Sequence, residues 1–149
     1  MKNLLTLISI LFFFSCGEKV REENKNEIRW GNNLDSALTI ASKNNKIIMI
    51  DFMAEWCPPC QKMEKETFSN VDIIKKSNDF IQIRIDIDKQ QNIAKKYNGN
   101  ARKYGGIGIP NILFLDKDKN IISHIVGFHD VVRLMGIIDS VLMKLKRNN

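Results

Sequence analysis

The chain has 149 residues, of which 44% are hydrophobic and 27% are charged, so it can build one domain with a packed core and is too apolar to be disordered throughout. Its formal net charge is +6. The lysines are scattered, and Phe12, Phe13 and Phe14 cluster in the first segment rather than among basic residues, so the charge is interpreted as a solvated surface and no nucleic-acid partner is expected.

The first segment has the pattern of an export signal. A basic Lys2 precedes an apolar run over residues 4–14, which is shorter than the roughly 20 residues of a membrane-spanning helix and has the length of a secretory signal core. The run ends in "FFFSCG", which resembles the lipobox of bacterial lipoproteins around Cys16, with Phe13 where that family prefers leucine. The alternative is an ordinary signal peptide with an incidental cysteine.

The lipobox resemblance implies three parts. These are a signal peptide over residues 1–15, a lipid-anchored flexible tether over residues 16–32, and a folded domain over residues 33–147. The polar and charged composition of residues 17–27 favours a tether. Acyl chains on Cys16 would hold the domain at a bacterial membrane, outside the cytoplasm and facing the periplasm.

Hydrophobic patterns in the domain predict strands that alternate with helices. Residues 28–30 are interpreted as a short strand or a packing segment. A continuous apolar run at 46–52 predicts a strand buried on both faces, and strict alternation at 80–87 predicts a strand with one buried face. The predicted elements are, in order, helix 33–44, strand 46–52, helix 57–67, a short helix or turn 71–77, strand 80–87, helix 90–97, a loop or broken helix 98–106, a hairpin of strands 111–115 and 121–126, and an amphipathic helix from residue 130.

This order predicts an α/β fold with a central mixed sheet. Strands joined through helices run parallel, the closing hairpin adds antiparallel strands, and the helices flank the sheet.

The motif "WCPPC" places Cys57 and Cys60 where the first strand meets the following helix. Prolines are tolerated in a first helical turn, and two sulfurs within one turn can open and close a disulfide. The unpaired N–H groups and the dipole at a helix start lower the pKa of a Cys57 thiol, and the thiolate is the attacking species in disulfide exchange. Cys60, one turn further and expected to be less exposed, would resolve the mixed disulfide.

The cysteine pair has two alternative interpretations. A structural zinc site needs further ligands, and His124, His129 and Cys16 stand at no recognisable spacing, so no metal is expected. A purely structural disulfide would close a very small loop, which constrains the unfolded chain least. The two histidines are interpreted as surface or packing residues.

Two segments resemble the thioredoxin superfamily over roughly residues 33–145. "DFMAEWCPPC", residues 51–60, is similar to its active-site segment, and "KYGGIGIP", residues 103–110, resembles its second signature. Within the superfamily, "DFMAEWCPPCQKMEKETFSN" is most similar to membrane-tethered and periplasmic disulfide-interchange proteins, and "EKETFSN" resembles the thioredoxin domain of transmembrane reductant transporters. The resemblance implies a thioredoxin fold.

The resemblance also implies roles for particular residues. Cys57 is the nucleophile and Cys60 the resolving cysteine of a redox-active disulfide, with Trp56 packed beside them. Pro110 is a cis-proline that turns the Ile109 backbone outward to pair with an extended substrate segment.

Asp51 matches the buried acid behind the cysteines. It lies in an otherwise apolar strand, where burial raises the pKa of a carboxyl and suits it to accept a proton from Cys60. The alternative is a strand-end aspartate in contact with water. The lysine that often pairs with this acid has no counterpart on the next strand, which offers Gln82 and Arg84, and Asn111 replaces the threonine that often follows the cis-proline.

The expected function is therefore a membrane-anchored thiol:disulfide oxidoreductase outside the cytoplasm, acting as a reductase of protein disulfides. It needs no bound cofactor, receives electrons from a membrane or thioredoxin-like dithiol donor, and is expected to be a monomer. One alternative is a binding or chaperone module that holds unfolded or apo-cytochrome chains at the Ile109–Pro110 edge. Another is a thiol peroxidase, a class that usually places a threonine and an arginine around its cysteine, which "AEWCPPC" lacks.

Overall fold

The computed structural model of the protein describes residues 26–147, so the predicted signal peptide, Cys16 and most of the predicted tether lie outside the described residues. Within this range the elements follow the predicted order: α1 Leu34–Asn44, β1 Ile48–Met53, α2 Pro58–Met63, α3 Val71–Ser77, β2 Ile81–Asp86, α4 Gln91–Lys96, β3 Asn111–Leu115, β4 Ile121–Val126 and α5 Val131–Arg147. A π-helical turn, Glu64–Phe68, continues α2, and a 3₁₀ turn, Arg102–Tyr104, lies in the loop before β3. None of the helices between residues 26 and 147 has the length and apolar character needed to cross a membrane.

Asparagine side chains cap two of the helices. The Asn33 side chain accepts a hydrogen bond from the Ser36 N–H at 2.8 Å and starts α1, which ends at Asn45 in the left-handed conformation (φ 51°). The Asn70 side chain accepts hydrogen bonds from the first turn of α3 in the same way. These caps satisfy N–H groups that have no partner inside the helix, and they are local signals that the sequence carries.

The four strands form one mixed sheet in the order β2–β1–β3–β4. β1 and β2 run parallel, whereas β3 is antiparallel to both β1 and β4. The predicted α/β architecture is confirmed. The parallel register places Asp51 opposite Arg84, so the acid and the base stand side by side on neighbouring strands.

Hydrophobic side chains fill both faces of the sheet. One cluster packs α1 and α4 against alternate positions of the strands, and it includes Leu34, Ala41, Ile48, Ile50, Phe52, Ile83, Ile85, Ala94 and Leu113. The other packs α3, α5 and the end of α2 against the opposite face, and it includes Met49, Met63, Phe68, Ile73, Ile112, Phe114, Leu134 and Ile138. Burial on both faces explains the continuous apolar run of β1.

Residues 28–31 pack against the outer edge of β2. The Gly31 N–H donates to the Gln82 carbonyl at 3.0 Å, the Arg84 N–H donates to the Gly31 carbonyl at 2.8 Å, and Ile28 is buried. The predicted tether, which ends at residue 32, includes these residues, whereas in the structure they pack on the domain. Of the two interpretations given to residues 28–30, the structure shows the packing segment.

Candidate active site

The two cysteines lie at the junction between β1 and α2. Cys57 is the residue that caps α2, its Sγ accepts a hydrogen bond from the Cys60 N–H at 3.2 Å, and the two sulfurs form a disulfide. Pro58 and Pro59 occupy the first helical positions, as the motif predicts.

The expectation that Cys60 is less exposed than Cys57 is wrong. The exposed fractions are 2% for Cys57 and 5% for Cys60. Both belong to the hydrophobic cluster on the α1 and α4 face, which also contains Ala54 and Ala101 and against which Ile109 packs. The loop before β3 thus belongs to the same packed cluster as the disulfide.

Asp51 lies on β1 and is almost fully buried, with 2% of its surface exposed. Burial raises the pKa of its carboxyl to about 6, and the rise is limited by the charge and the hydrogen bond of Arg84. The Arg84 Nε donates to Asp51 Oδ2 at 2.9 Å, whereas Oδ1 has no hydrogen-bond partner among residues 26–147. The alternative of a strand-end aspartate in contact with water is therefore wrong.

Arg84 takes the place of the lysine that the resemblance would put beside the buried acid. Besides contacting Asp51, its Nη2 donates to Glu64 Oε2 at 2.5 Å, and its guanidinium lies 4.4 Å from the centre of the Trp30 ring. Trp30 in turn packs edge-on against Phe68, with the ring centres 5.2 Å apart. The guanidinium is therefore held from three sides, so its charge stays beside Asp51.

A cleft of about 320 Å³ connects the buried acid to the second cysteine. Its lining consists of Asp51, Met53, Glu55, Cys60, Gln61, Glu64, Lys65 and Arg84. Asp51 and Cys60 therefore line the same cleft, which puts the buried carboxyl on the side of the second cysteine.

Trp56 is held beside the disulfide by a polar cluster. Its Nε1 donates to Asp88 at 2.5 Å, and the Tyr104 hydroxyl donates to the other carboxylate oxygen of Asp88 at 2.7 Å. These hydrogen bonds, from Tyr104 and then Trp56, hold the pKa of Asp88 below its usual value. The Lys103 ammonium lies 3.5 Å from the centre of the Trp56 ring. The sequence alone gives no signal for Asp88. Lys103 and Tyr104 belong to the "KYGGIGIP" segment, but its resemblance implies no role for them.

The Ile109–Pro110 peptide bond is cis, as the resemblance implies. The Pro110 carbonyl accepts a hydrogen bond from the Gly127 N–H at 2.8 Å, and the Gly108 N–H donates to the Asn100 carbonyl at 3.1 Å. Within residues 26–147 the N–H and carbonyl of Ile109 have no hydrogen-bond partner. The backbone on both sides of Ile109 is hydrogen-bonded, whereas its own N–H and carbonyl can pair with an extended segment of another chain.

Comparisons with known proteins agree with this geometry. The sequence profile of the thioredoxin-like domain matches residues 34–142. The chain belongs to the thioredoxin-like family. It is 28% identical over 106 residues to the thiol:disulfide interchange protein DsbD of Haemophilus influenzae, a match that covers 70% of this chain and 18% of that protein. It is 33% identical over 87 residues to thioredoxin H5 of Arabidopsis thaliana, covering 58% of this chain and 64% of that one.

Solved structures show the same thioredoxin fold. A thioredoxin from Thermus thermophilus superposes with a TM-score of 0.62 at 20% identity, over 79% of this chain and 89% of that one. A DsbH oxidoreductase gives a TM-score of 0.60 at 16% identity, over 78% and 85% of the two chains. Together with the Cys57–Cys60 disulfide, these findings confirm the predicted class, a thioredoxin-like thiol:disulfide oxidoreductase.

The thioredoxin-like fold brings most of the sequence-predicted site residues into one region. Cys57, Cys60 and Ile109 share a hydrophobic cluster, and Asp51 reaches Cys60 through the cleft. Trp56 directly precedes Cys57, and Pro110 follows Ile109. Their individual roles stay predictions, and Cys16 lies outside the described residues.

Proposed function

We propose that this protein is a lipid-anchored, extracytoplasmic reductase of protein disulfides. The observation that carries the proposal is the Cys57–Cys60 disulfide, which has the buried carboxyl of Asp51 in the cleft next to Cys60. The names of the DsbD relatives support disulfide interchange, although this chain covers only 18% of the first of them.

The reaction begins with the dithiol form. The Cys57 thiolate attacks one sulfur of a substrate disulfide, so a mixed disulfide forms and one substrate thiolate leaves. The substrate segment pairs with the unpaired backbone of Ile109, which brings its disulfide to Cys57. The Cys57 sulfur already accepts an N–H hydrogen bond in the disulfide form, and the same N–H stabilises the thiolate.

The second step moves a proton as well as electrons. Asp51 accepts the thiol proton of Cys60, and the Cys60 thiolate attacks the Cys57 sulfur of the mixed disulfide. The Cys57–Cys60 disulfide forms, and the second substrate thiolate leaves, so the dithiol has given two electrons to the substrate. A pKa of about 6 makes Asp51 a base at neutral pH that is strong enough to take part in the transfer. A membrane-bound or thioredoxin-like dithiol then reduces the disulfide by the same exchange in reverse.

Two measurements test the chemistry and its direction. The reduced full-length chain is expected to reduce the disulfides of insulin, and Cys57→Ser to abolish this activity. The redox potential against glutathione is expected nearer the roughly −270 mV of thioredoxin than the −120 mV of a strong oxidant. A value at the oxidising end would contradict the reductase role, and rapid peroxide consumption would favour the peroxidase alternative.

The anchor is tested separately. The full-length chain expressed in a bacterium is expected in the membrane fraction, released by detergent, whereas Cys16→Ala is expected in the periplasmic fraction. If both chains stay soluble, the anchor is refuted and the exchange chemistry is untouched. A double Cys57→Ser, Cys60→Ser variant that keeps full biological activity would instead favour the binding module.

A further inference from the structure

Asn111, the residue after the cis-proline, is fully buried and uses both ends of its side-chain amide. The Nδ2 group donates to the Asn98 carbonyl at 3.2 Å and to the Gly108 carbonyl at 3.3 Å. On the other side, Oδ1 lies 2.5 Å from the Nε2 atom of His124. One side chain therefore connects the turn after α4, the loop before the cis-proline and strand β4.

These partners fix the orientation of the amide and the tautomer of the histidine. Two backbone carbonyls can only accept hydrogen bonds, so the Asn111 NH₂ group must face them and Oδ1 must face His124. Because Oδ1 is an acceptor, the Nε2 atom of His124 must carry the proton. His124 therefore acts as a hydrogen-bond donor to a buried oxygen that has no other hydrogen-bond partner among residues 26–147.

The sheet explains why this contact exists. In the antiparallel pairing of β3 and β4, Leu113 stands opposite His124 and Asn111 stands opposite Val126. His124 and Asn111 are thus diagonal neighbours on one face of the sheet, within reach of long side chains. The same face carries Phe52 opposite Asn111 on β1, and Gly99 approaches the Phe52 ring so closely that a Cβ there would lie 2.4 Å from it. The surroundings of Asn111 are therefore tightly packed and leave its amide little freedom.

We infer that His124, acting through Asn111, is a positioning residue that fixes the Gly108–Ile109 backbone in the conformation that receives a protein substrate. The Gly108 carbonyl, which Asn111 holds, directly precedes the unpaired Ile109 unit. Backbone hydrogen bonds hold the same loop at its two ends, where the Gly108 N–H donates to the Asn100 carbonyl and the Gly127 N–H donates to the Pro110 carbonyl. The substrate part of this inference rests on the proposed function, whereas the positioning of the loop does not.

The test compares substrates that do and do not need the Ile109 edge. Full-length wild type, His124→Phe and His124→Gln are reduced, and their second-order rate constants are measured with insulin and with the small disulfide 5,5′-dithiobis(2-nitrobenzoate). Phenylalanine keeps the ring and loses the donor, whereas glutamine places an N–H donor near the position of Nε2. Ser123→Ala, on the opposite face of β4, is the matched control.

His124→Phe is expected to react about five- to tenfold more slowly with insulin, the effect of losing one hydrogen bond to a buried acceptor, and at an unchanged rate with the small disulfide. His124→Gln is expected to restore most of the insulin rate. Equal loss with both substrates, or no loss with insulin, would overturn the inference. If the wild type reduces only the small disulfide, the proposed function fails instead.

Amide hydrogen exchange measures how firmly the Gly108 backbone is held, and it needs no substrate. The Gly108 amide is expected to exchange about tenfold faster in His124→Phe than in wild type, and at the wild-type rate in His124→Gln. The Phe114 amide in the centre of β3 is the internal control, because global destabilisation would accelerate both. Unchanged exchange at Gly108 refutes the inference whatever the activities are, and His124→Ala serves the same comparison if the phenylalanine variant does not fold.

Discussion

Replacing Asp51 by asparagine is expected to stabilise the oxidised protein at neutral pH. Burial raises the pKa of this carboxyl from 3.8 to about 6, so the folded protein holds the proton more strongly than the unfolded chain does. Below pH 3.8 both states are protonated; between 3.8 and about 6 only the unfolded chain ionises, and the free energy of unfolding falls. At about 1.4 kcal/mol per pH unit, the total loss by neutral pH is about 3 kcal/mol, which asparagine avoids.

The pKa of about 6 already includes the charge and hydrogen bond of Arg84, so the loss of the Asp51 partner takes nothing further from this gain. Arg84 keeps its hydrogen bond to Glu64 at 2.5 Å and its contact with the Trp30 ring at 4.4 Å, and it is partly exposed to solvent. The expected net gain is therefore about 3 kcal/mol at pH 7.5 and close to zero at pH 3.5.

Urea unfolding of the oxidised wild type and of Asp51→Asn at pH 3.5 and pH 7.5 measures this difference. Asp79→Asn is the control for the same change of side chain at an exposed position. The reasoning is refuted if Asp51→Asn gains nothing at pH 7.5 or gains equally at both pH values. The same variant is expected to resolve mixed disulfides more slowly, because no carboxylate remains to accept the proton of Cys60.

Three further predictions concern neighbouring parts of the molecule. Arg84→Met is expected to raise the pKa of Asp51 above about 6, since the arginine charge and hydrogen bond lower it, whereas Arg84→Lys keeps the charge. NMR titration of the Asp51 carboxyl measures both variants, and an unchanged pKa in Arg84→Met would show that Arg84 does not lower it. Cys60→Ser is expected to accumulate a mixed disulfide between Cys57 and the substrate, seen by non-reducing electrophoresis and mass spectrometry; rapid turnover without accumulation would show that Cys60 is not the resolving residue. Gly136 lies on α5, and nothing lies within 4 Å of the Cβ that an alanine would add. Because alanine favours the helix more than glycine does, Gly136→Ala is expected to raise the free energy of unfolding by about 1 kcal/mol, and a loss of stability would show that the new Cβ does not fit.

The fold could be predicted because its signals are local. The alternation in residues 80–87 and the apolar run before "WCPPC" each define an element without reference to distant residues. The start of α1 at Leu34 follows from a side chain just before it, Asn33. The sequence does not decide the conformation of residues 28–30, because they are held by the burial of Ile28, by the contact of Trp30 with Arg84 and by the hydrogen bonds of the following Gly31 to β2, and not by a pattern of their own.

The parts of the site that sequence reasoning missed depend on register and on long-range contacts. Alternation in β2 places Gln82, Arg84 and Asp86 on one face, but only the pairing with β1 shows that Arg84 stands opposite Asp51. Similarly, His124 is distant in sequence from the cysteines and reaches the cis-proline loop only through the β3–β4 register. A parallel alignment of the two strand patterns from their first apolar residues would have found the first contact.

The two cysteines share a hydrophobic cluster but have different polar neighbours, and in the proposed mechanism this separates substrate binding from proton transfer. Cys57 follows Trp56, which a polar cluster holds, and caps α2, whereas Cys60 lines the cleft that contains the buried carboxyl. A change at the Trp56 cluster or the Ile109 edge should therefore alter the attack on a protein substrate and leave resolution intact. A change at Asp51 should do the reverse, because the acid lines the cleft next to Cys60, the residue proposed to resolve the mixed disulfide. A thiol:disulfide oxidoreductase that works by the proposed mechanism can vary its partners without altering how it moves the proton.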